Sequence, residues 1–261
     1  MTKTILITGS TDGIGLEAAK MLAAEGHRIL LHGRNPDKLQ NASAAIGGAA
    51  DTFVADLSRL DEVSALAAAV AERHEHLDVL INNAGVYKTS KPINEDGQDV
   101  RFVVNTIAPY ILTISLLPLM DSSGRIVNLS SAAQAPVDLE ALRGNRRVAD
   151  MDAYAQSKLA ITAWSKALAN TQKGGPAILA INPGSLLATK MVTEGFGVAG
   201  NNIGIGADII SRAAISEEFT DRSGEYFDND IGQFAMPHAA AMDRSRSDAL
   251  MDILDSYVNQ K

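Results

Sequence analysis

Short runs of apolar residues recur along the chain, and longer stretches with a helical period separate them. Each run has the length of a β-strand that is buried on both faces. The predicted strands lie at 5–7, 29–31, 52–54, 79–81, 125–129, 177–181 and near 225–227. The predicted helices lie at 13–25, 36–46, 60–73, 100–119, 152–171 and 247–258.

This alternation of apolar strands and helices predicts one α/β domain over residues 1–261. Continuous apolar strands are typical of a parallel sheet that helices cover on both faces. The stretch 100–119 is apolar, but Pro109, Thr113 and Pro118 interrupt it, so we interpret it as a core helix. The stretch 185–206 contains five glycines and little periodicity, and it is predicted to be a mobile lid.

Composition narrows the class of protein. The chain has 261 residues, 46% of them hydrophobic, and a formal net charge of -8. An acidic surface repels phosphates, so no nucleic-acid partner is expected. There is no cysteine, which excludes disulfides and thiolate metal sites. The N-terminus does not resemble a signal peptide, and a cytoplasmic location without membrane binding is expected.

A glycine-rich segment, 8–15, directly follows the first predicted strand and opens the first predicted helix. Glycines allow a tight turn and a close approach to a pyrophosphate, which the free N–H groups of the helix N-terminus can bind. A glycine-rich turn without a ligand is the alternative. Its position in a strand–turn–helix unit favours a dinucleotide site of the Rossmann type.

The glycine spacing and several other motifs resemble the short-chain dehydrogenases/reductases. The resemblance covers nearly all of the chain and rests on 8–15, Asp56-Leu57, 82–85, Asn105, Ser130-Ser131, 154–158 and Pro183-Gly184. It implies a doubly wound parallel sheet of about seven strands, a nicotinamide cofactor and hydride transfer. The matching positions would bind the cofactor through Gly9, Ser10, Thr11, Gly13, Ile14, Gly15, Arg34, Asp56, Leu57, Asn83, Ala84, Gly85, Tyr154, Lys158, Pro183, Gly184 and Thr189.

The choice between NADP and NAD depends on the residues after the second predicted strand. A carboxylate there would accept the ribose hydroxyls, whereas this chain has Gly33 and Arg34. A guanidinium can pair with a 2′-phosphate in a bidentate manner, so NADP is predicted. Thr11 stands where many NADP-preferring relatives carry a second basic residue. Thr189 is one position later than the family pattern, and Ser185 is the alternative.

Tyr154 and Lys158 are four positions apart on a predicted helix and therefore project from the same face. A neighbouring ammonium stabilises phenolate and would lower the pKa of Tyr154 toward working pH. The resemblance adds Ser131, in preference to Ser130, as a donor to the substrate oxygen. It also implies that Lys158 binds the nicotinamide ribose and that Asn105 holds a water molecule linked to the lysine.

Ser131 and Tyr154 are 23 positions apart, a longer spacing that resembles the retinol-dehydrogenase-like branch. The additional segment, 134–150, is either a rim of the substrate mouth or a solvated loop. The five histidines show no metal-ligand spacing, and no catalytic metal is predicted.

These patterns predict an NADP(H)-dependent enzyme that interconverts a small ketone or aldehyde and its alcohol. An NAD-preferring enzyme and a non-catalytic dinucleotide sensor are the alternatives. The resemblance also implies a homo-oligomer, a dimer or a tetramer, although the segment before the catalytic helix can block that packing.

Overall fold

The central sheet has eight strands, in the order β3-β2-β1-β4-β5-β6-β7-β8. The computed structural model describes residues 1–48, 50–197 and 199–259. Neighbouring strands are parallel from β3 to β7, and β8 is antiparallel to β7. The strands are β1 Thr4–Ile7, β2 Arg28–Gly33, β3 Asp51–Val54, β4 Val79–Asn82, β5 Arg125–Leu129, β6 Ala177–Asn182, β7 Tyr226–Asp228 and β8 Gln233–Ala235.

Helices cover both faces of the sheet, which confirms the predicted doubly wound fold. They are α1 Gly13–Ala24, α2 Pro36–Ala45, α3 Leu60–Arg73, α4 Val100–Phe102, α5 Ala108–Leu116, α6 Leu139–Leu142, α7 Asp150–Thr171, α8 Lys190–Phe196, α9 Ile203–Ile215 and α10 Arg244–Val258. One apolar core lies between the sheet and α3, α5, α7 and α10, and a second core lies between the sheet and α1, α2 and α9.

The predicted helix 100–119 is divided into segments. A π-helical turn, Val103–Ile107, joins α4 to α5, and a 3₁₀ turn, Leu117–Leu119, follows. Val100–Leu119 is the one stretch among the described residues that is long and apolar enough to cross a membrane. The fold buries 72% of its most apolar window, and α5 packs against α3, so this stretch lies in the core.

The structure adds elements that the sequence pattern does not predict. The predicted lid, 185–206, contains α8 and the first turn of α9, and its residue Val198 lies outside the described residues. The short helix α6 lies within the segment 134–150. Strand β8 brings the sheet to eight strands where about seven are predicted.

Candidate active site

A cleft of about 820 Å³ opens at the carboxyl ends of β1, β4, β5 and β6. Most of the predicted site residues line it, namely Gly9, Thr11, Gly13, Ile14, Arg34, Asp56, Leu57, Asn83, Ala84, Gly85, Ser131, Tyr154, Lys158, Pro183, Gly184 and Thr189. Ser10, Gly15 and Asn105 lie behind these residues, where they are buried. In open α/β sheets this edge is where ligands bind.

The turn between β1 and α1 requires glycine at two positions for different reasons. Gly9 has a φ of +64°, in the left-handed region that favours glycine. A Cβ on Gly15 would lie only 2.4 Å from Nδ2 of Asn83. That amide donates to the carbonyl oxygens of Thr8 at 2.8 Å and Gly9 at 3.1 Å. The turn is therefore narrow at Gly9 and Gly15, where no side chain blocks the approach of a pyrophosphate group.

Thr8 connects this turn to the end of β4, a role that sequence analysis did not assign. Its hydroxyl donates to the carbonyl of Ile81 at 3.3 Å and accepts from the N–H groups of Asn83 and Ala84, each at 3.0 Å. The side chain is 1% exposed. A threonine directly after an apolar strand carries no signal beyond its place in the motif.

Basic side chains lie at the outer end of the cleft, beside β2. Arg34 is largely exposed, and its nearest carboxylate in the described structure is Asp56 at 3.9 Å. Lys38, near the start of α2, lines the same part of the cleft. Gly33 is packed closely, since a Cβ there would lie 2.5 Å from Cγ2 of Thr11. The sequence predicts Arg34 but not Lys38, because Lys38 lies on a helix outside any of the recognised motifs.

Tyr154 and Ser131 meet in the inner half of the cleft. Both residues line the cleft, and the polar interaction with the Ser131 side chain lowers the pKa of Tyr154. Burial has the larger effect, so the pKa of Tyr154 lies above its ordinary value. The Ser130 hydroxyl instead faces α7, where it donates to the carbonyl of Lys158 at 3.1 Å and lies 2.6 Å from the hydroxyl of Thr162. This geometry separates the two serines and directs Ser131 toward Tyr154.

Lys158 is 4% exposed, and burial lowers its pKa to about 8. Its Nζ donates to the carbonyl of Leu129 at 2.7 Å and lies 5.8 Å from the centroid of the Tyr154 ring. The sequence-based expectation was that this ammonium would lower the pKa of Tyr154. In the structure burial of the phenol instead raises the pKa of Tyr154, and the interaction that lowers it comes from Ser131.

Asn105 lies on the π-helical turn with its amide fully engaged. Its Oδ1 accepts from the N–H of Val86 at 2.8 Å, and its Nδ2 donates to the carbonyl of Val86 at 2.9 Å and to the hydroxyl of Ser157 at 3.0 Å. Ser157 in turn donates to the carbonyl of Tyr154 at 2.7 Å. A π-bulge is frequent at functional sites, and here it ties α7 to the segment after β4.

Thr189 and Ser185, the two alternatives that the sequence offers after β6, have different hydrogen-bond partners. Thr189 lines the cleft and caps α8, where its hydroxyl accepts from the N–H of Val192 at 3.3 Å. The Ser185 hydroxyl donates to the carboxylate of Asp230 at 2.5 Å. Because that carboxylate holds Ser185, the geometry favours Thr189 of the two.

The segment 134–150 meets the cleft only near its two ends. Ala133, which precedes it, and Met151, which follows it, line the cleft. Of its arginines, Arg143 and Arg146 form ion pairs with carboxylates of the same segment, at 2.7 and 2.6 Å. Its charged middle thus forms a solvated surface, and only its ends touch the rim. Among the described residues, no group of three or more His, Asp or Glu side chains is placed to hold a metal ion.

Comparison with known proteins identifies the family. The family model for short chain dehydrogenases matches residues 3–196. The chain belongs to the short-chain dehydrogenase/reductase family. Human retinol dehydrogenase 13 is 32% identical over 87% of this chain and 76% of its own length. The chloroplastic short-chain dehydrogenase TIC 32 A of Brassica napus is 31% identical over 95% of this chain and 86% of its own length.

Solved structures agree with this membership. An uncharacterised protein from Mycobacterium paratuberculosis superposes with a TM-score of 0.80 at 26% identity, over 98% of this chain and 93% of its own. A short-chain dehydrogenase from Escherichia coli CFT073, solved with NADPH, gives a TM-score of 0.71 at 27% identity, over 87% of this chain and 96% of its own. The protein is therefore an NAD(P)-dependent oxidoreductase of the retinol-dehydrogenase-like branch.

Proposed function

We propose that the enzyme uses NADPH to reduce a ketone or aldehyde to its alcohol, or catalyses the reverse reaction with NADP⁺. The observation that carries the proposal is the meeting of Tyr154 and Ser131 on the inner wall of a cleft whose outer half is built for a dinucleotide. When bound, the cofactor supplies or accepts the hydride. The protein supplies binding, orientation and the proton.

In this mechanism Tyr154 carries the proton. Its raised pKa keeps the phenol protonated at neutral pH, so its hydroxyl can donate to a carbonyl oxygen during reduction. The Ser131 hydroxyl lies beside it and stabilises negative charge that develops on that oxygen. Lys158 lies below the tyrosine ring, where its ammonium stabilises the phenolate that remains after proton transfer.

Support for NADP rather than NAD comes from the outer end of the cleft. Arg34 and Lys38 both line it, and Arg34 has its nearest described carboxylate at 3.9 Å. A guanidinium and an ammonium at this place would bind a 2′-phosphate. Lys38 supplies the second basic residue that the sequence lacks at Thr11.

The substrate end of the cleft is apolar. Its side chains include two methionines, which adapt to irregular shapes, together with aliphatic residues. These side chains are Met151, Met191, Val192 and Leu186. We therefore propose that the substrate is a carbonyl compound whose body is apolar.

The test is a panel of apolar ketones and aldehydes, assayed with NADPH and NADH for the wild type and for Tyr154→Phe. We expect wild-type turnover with NADPH, and a fall of about 100- to 10,000-fold in Tyr154→Phe with NADPH binding retained, because only the acid–base group is lost. Tyr87→Phe is the matched control. The ring of Tyr87 lies 5.3 Å from the ring of Tyr154, and the substitution also removes a phenol hydroxyl. Normal turnover by a folded Tyr154→Phe protein would contradict the proposal.

A further inference from the structure

His32, near the end of β2, bridges two walls of the dinucleotide cleft. Its ring is 2% exposed. Nδ1 lies 3.1 Å from the backbone nitrogen of Gly9, in the glycine turn, and Nε2 lies 3.1 Å from the carbonyl oxygen of Ala55. Ala55 directly precedes Asp56 and Leu57, which line the cleft after β3. One side chain therefore joins the pyrophosphate turn to the opposite wall.

The two contacts require one tautomer of the ring. A backbone N–H can only donate, so Nδ1 must accept from Gly9. A carbonyl oxygen can only accept, so Nε2 must carry the hydrogen that it donates to Ala55. Burial lowers the pKa of His32 to about 4, despite the nearby carboxylate of Asp56, so the ring is neutral near pH 7.

The backbone of the turn has a separate attachment that does not need the ring. The N–H of Ser10 donates to the carbonyl of His32 at 3.0 Å, and the N–H of His32 donates to the Ser10 hydroxyl at 2.9 Å. Loss of the ring would therefore leave the turn attached to β2. What the ring adds is the orientation of the Gly9 peptide, because Gly9 has no Cβ and its backbone, here at a positive φ, is less restricted than that of other residues.

We propose that His32 is a positioning residue for the dinucleotide. It fixes the Gly9 peptide relative to the wall at Ala55, so that the turn and the adenosine side of the cleft keep the spacing that the cofactor needs. The inference rests on the proposed use of NADP. Its structural part, the fixing of the turn, can be measured without any ligand.

The test compares two substitutions that each keep one of the two contacts. In His32→Asn the side-chain oxygen can take the place of Nδ1 and accept from Gly9. In His32→Gln the amide can take the place of Nε2 and donate to Ala55, but Gly9 loses its acceptor. His27 provides the control, since its Nδ1 accepts from the N–H of Lys3 at 3.2 Å at the opposite edge of the sheet. His27→Gln removes an equivalent contact away from the cleft.

The measurements are NADP⁺ affinity by calorimetry and hydrogen exchange of the amides in 8–15. For His32→Gln we expect faster exchange and a Kd raised about 3- to 10-fold, the range for one lost hydrogen bond. His32→Asn should restore most of both properties, and His27→Gln should change neither.

The outcomes separate this inference from the proposed function. A folded His32→Gln protein with wild-type exchange and affinity would overturn the inference, as would an equal loss in His32→Asn and His32→Gln. If the wild type binds no NADP⁺ while His32→Gln still accelerates exchange in the turn, the proposed cofactor is wrong and the fixing of the turn stands.

Discussion

At the scale of single residues, burial governs the chemistry of the site. It raises the pKa of Tyr154 and lowers that of Lys158, so each neutral form becomes more favourable than it is in water. A protonated phenol is the form that reduction needs. Oxidation needs phenolate, and it therefore depends on positive charge close to the ring.

The pH dependence of alcohol oxidation should depend on the positive charge of Lys158. Below a pH of about 8, wild-type Lys158 is an ammonium that favours phenolate, whereas Lys158→Met has no charge there. We expect the rising limb of kcat/KM against pH to move to higher pH in Lys158→Met. The difference between the proteins should be largest below pH 8 and should shrink above it, where the wild-type lysine is itself neutral. Lys166→Met, on the same helix, is the control. Identical profiles for wild type and Lys158→Met would contradict this role.

Arg34→Asp should shift the cofactor preference from NADPH toward NADH. The variant loses a charge-assisted contact with the 2′-phosphate and gains a carboxylate that repels it, so NADPH affinity should fall by at least about tenfold. NADH affinity should be unchanged or improved. Arg222→Asp makes the same change of charge at an exposed residue outside the cleft and is the control. Steady-state kinetics with both cofactors measures the effect. An equal loss of activity with NADPH and with NADH would contradict the proposal that Arg34 selects NADP.

At the scale of elements, the strands are predictable and the elements around the lid are not. Strands such as β4 and β6 are buried on both faces, so their sequences are apolar throughout. Helix α9 was missed because Gly204 and Gly206 suggest a loop. The structure shows that Gly206 allows close packing, since a Cβ there would lie 2.5 Å from Cδ1 of Leu187. Strand β8 has only three residues, too few to show a period.

The residues of the site likewise divide into those that the sequence predicts and those that it does not. Residues within motifs, such as Tyr154 and Asn83, could be predicted from the sequence because the motif fixes their spacing, and both line the cleft. Lys38, Thr8 and His32 were missed because only the folded sheet brings these residues to the cleft or to its walls. The π-helical turn was likewise missed, since one additional residue in a helical turn leaves the apolar pattern nearly unchanged.

Helix α8 packs against Tyr87, whose ring lies next to that of Tyr154. A Cβ on Gly195 would lie 2.7 Å from Cδ1 of Tyr87, whose ring lies 5.3 Å from that of Tyr154. We expect Gly195→Ala to displace α8, to raise KM and to increase proteolysis within 185–206. Alanine favours helix by about 1 kcal/mol over glycine, so helix propensity alone would change cutting in the opposite direction.

A second substitution tests the cause of that displacement. Tyr87→Leu removes the ring that an alanine at 195 would meet, so Gly195→Ala should have a smaller effect on proteolysis in this background than in the wild type. Added NADP⁺ and substrate should slow cutting in the wild type, as expected of a lid. Equal effects of Gly195→Ala in both backgrounds would show that the contact with Tyr87 does not position α8.

At the scale of the whole molecule, α10 belongs to the same core as α7, the helix that carries Tyr154 and Lys158. Leu250, Ile253 and Leu254 of α10 lie in the apolar cluster that contains Trp164 of α7. The Tyr110 hydroxyl donates to the carboxylate of Asp255 at 2.5 Å. These contacts cover one side of α7 with the chain's own residues, so a homo-oligomer, which remains a prediction, would need another surface there.

Because α10 shares this core with α7, weakening the packing of α10 should also destabilise α7. Leu254 is fully buried, and Leu254→Ala should lower the free energy of unfolding by about 2–5 kcal/mol. Asp252→Ala, an exposed position on the same helix, should change it by less than about 0.5 kcal/mol.

The measurement is denaturant unfolding followed by two probes. The chain contains a single tryptophan, Trp164, so its fluorescence reports on α7, while far-UV circular dichroism reports on all helices. If the molecule unfolds as one unit, both probes should give the same midpoint, and Leu254→Ala should shift both equally. A loss of helix signal that precedes the change in Trp164 fluorescence would show that α10 unfolds separately, and α10 could then not help to hold Tyr154 and Lys158 in place.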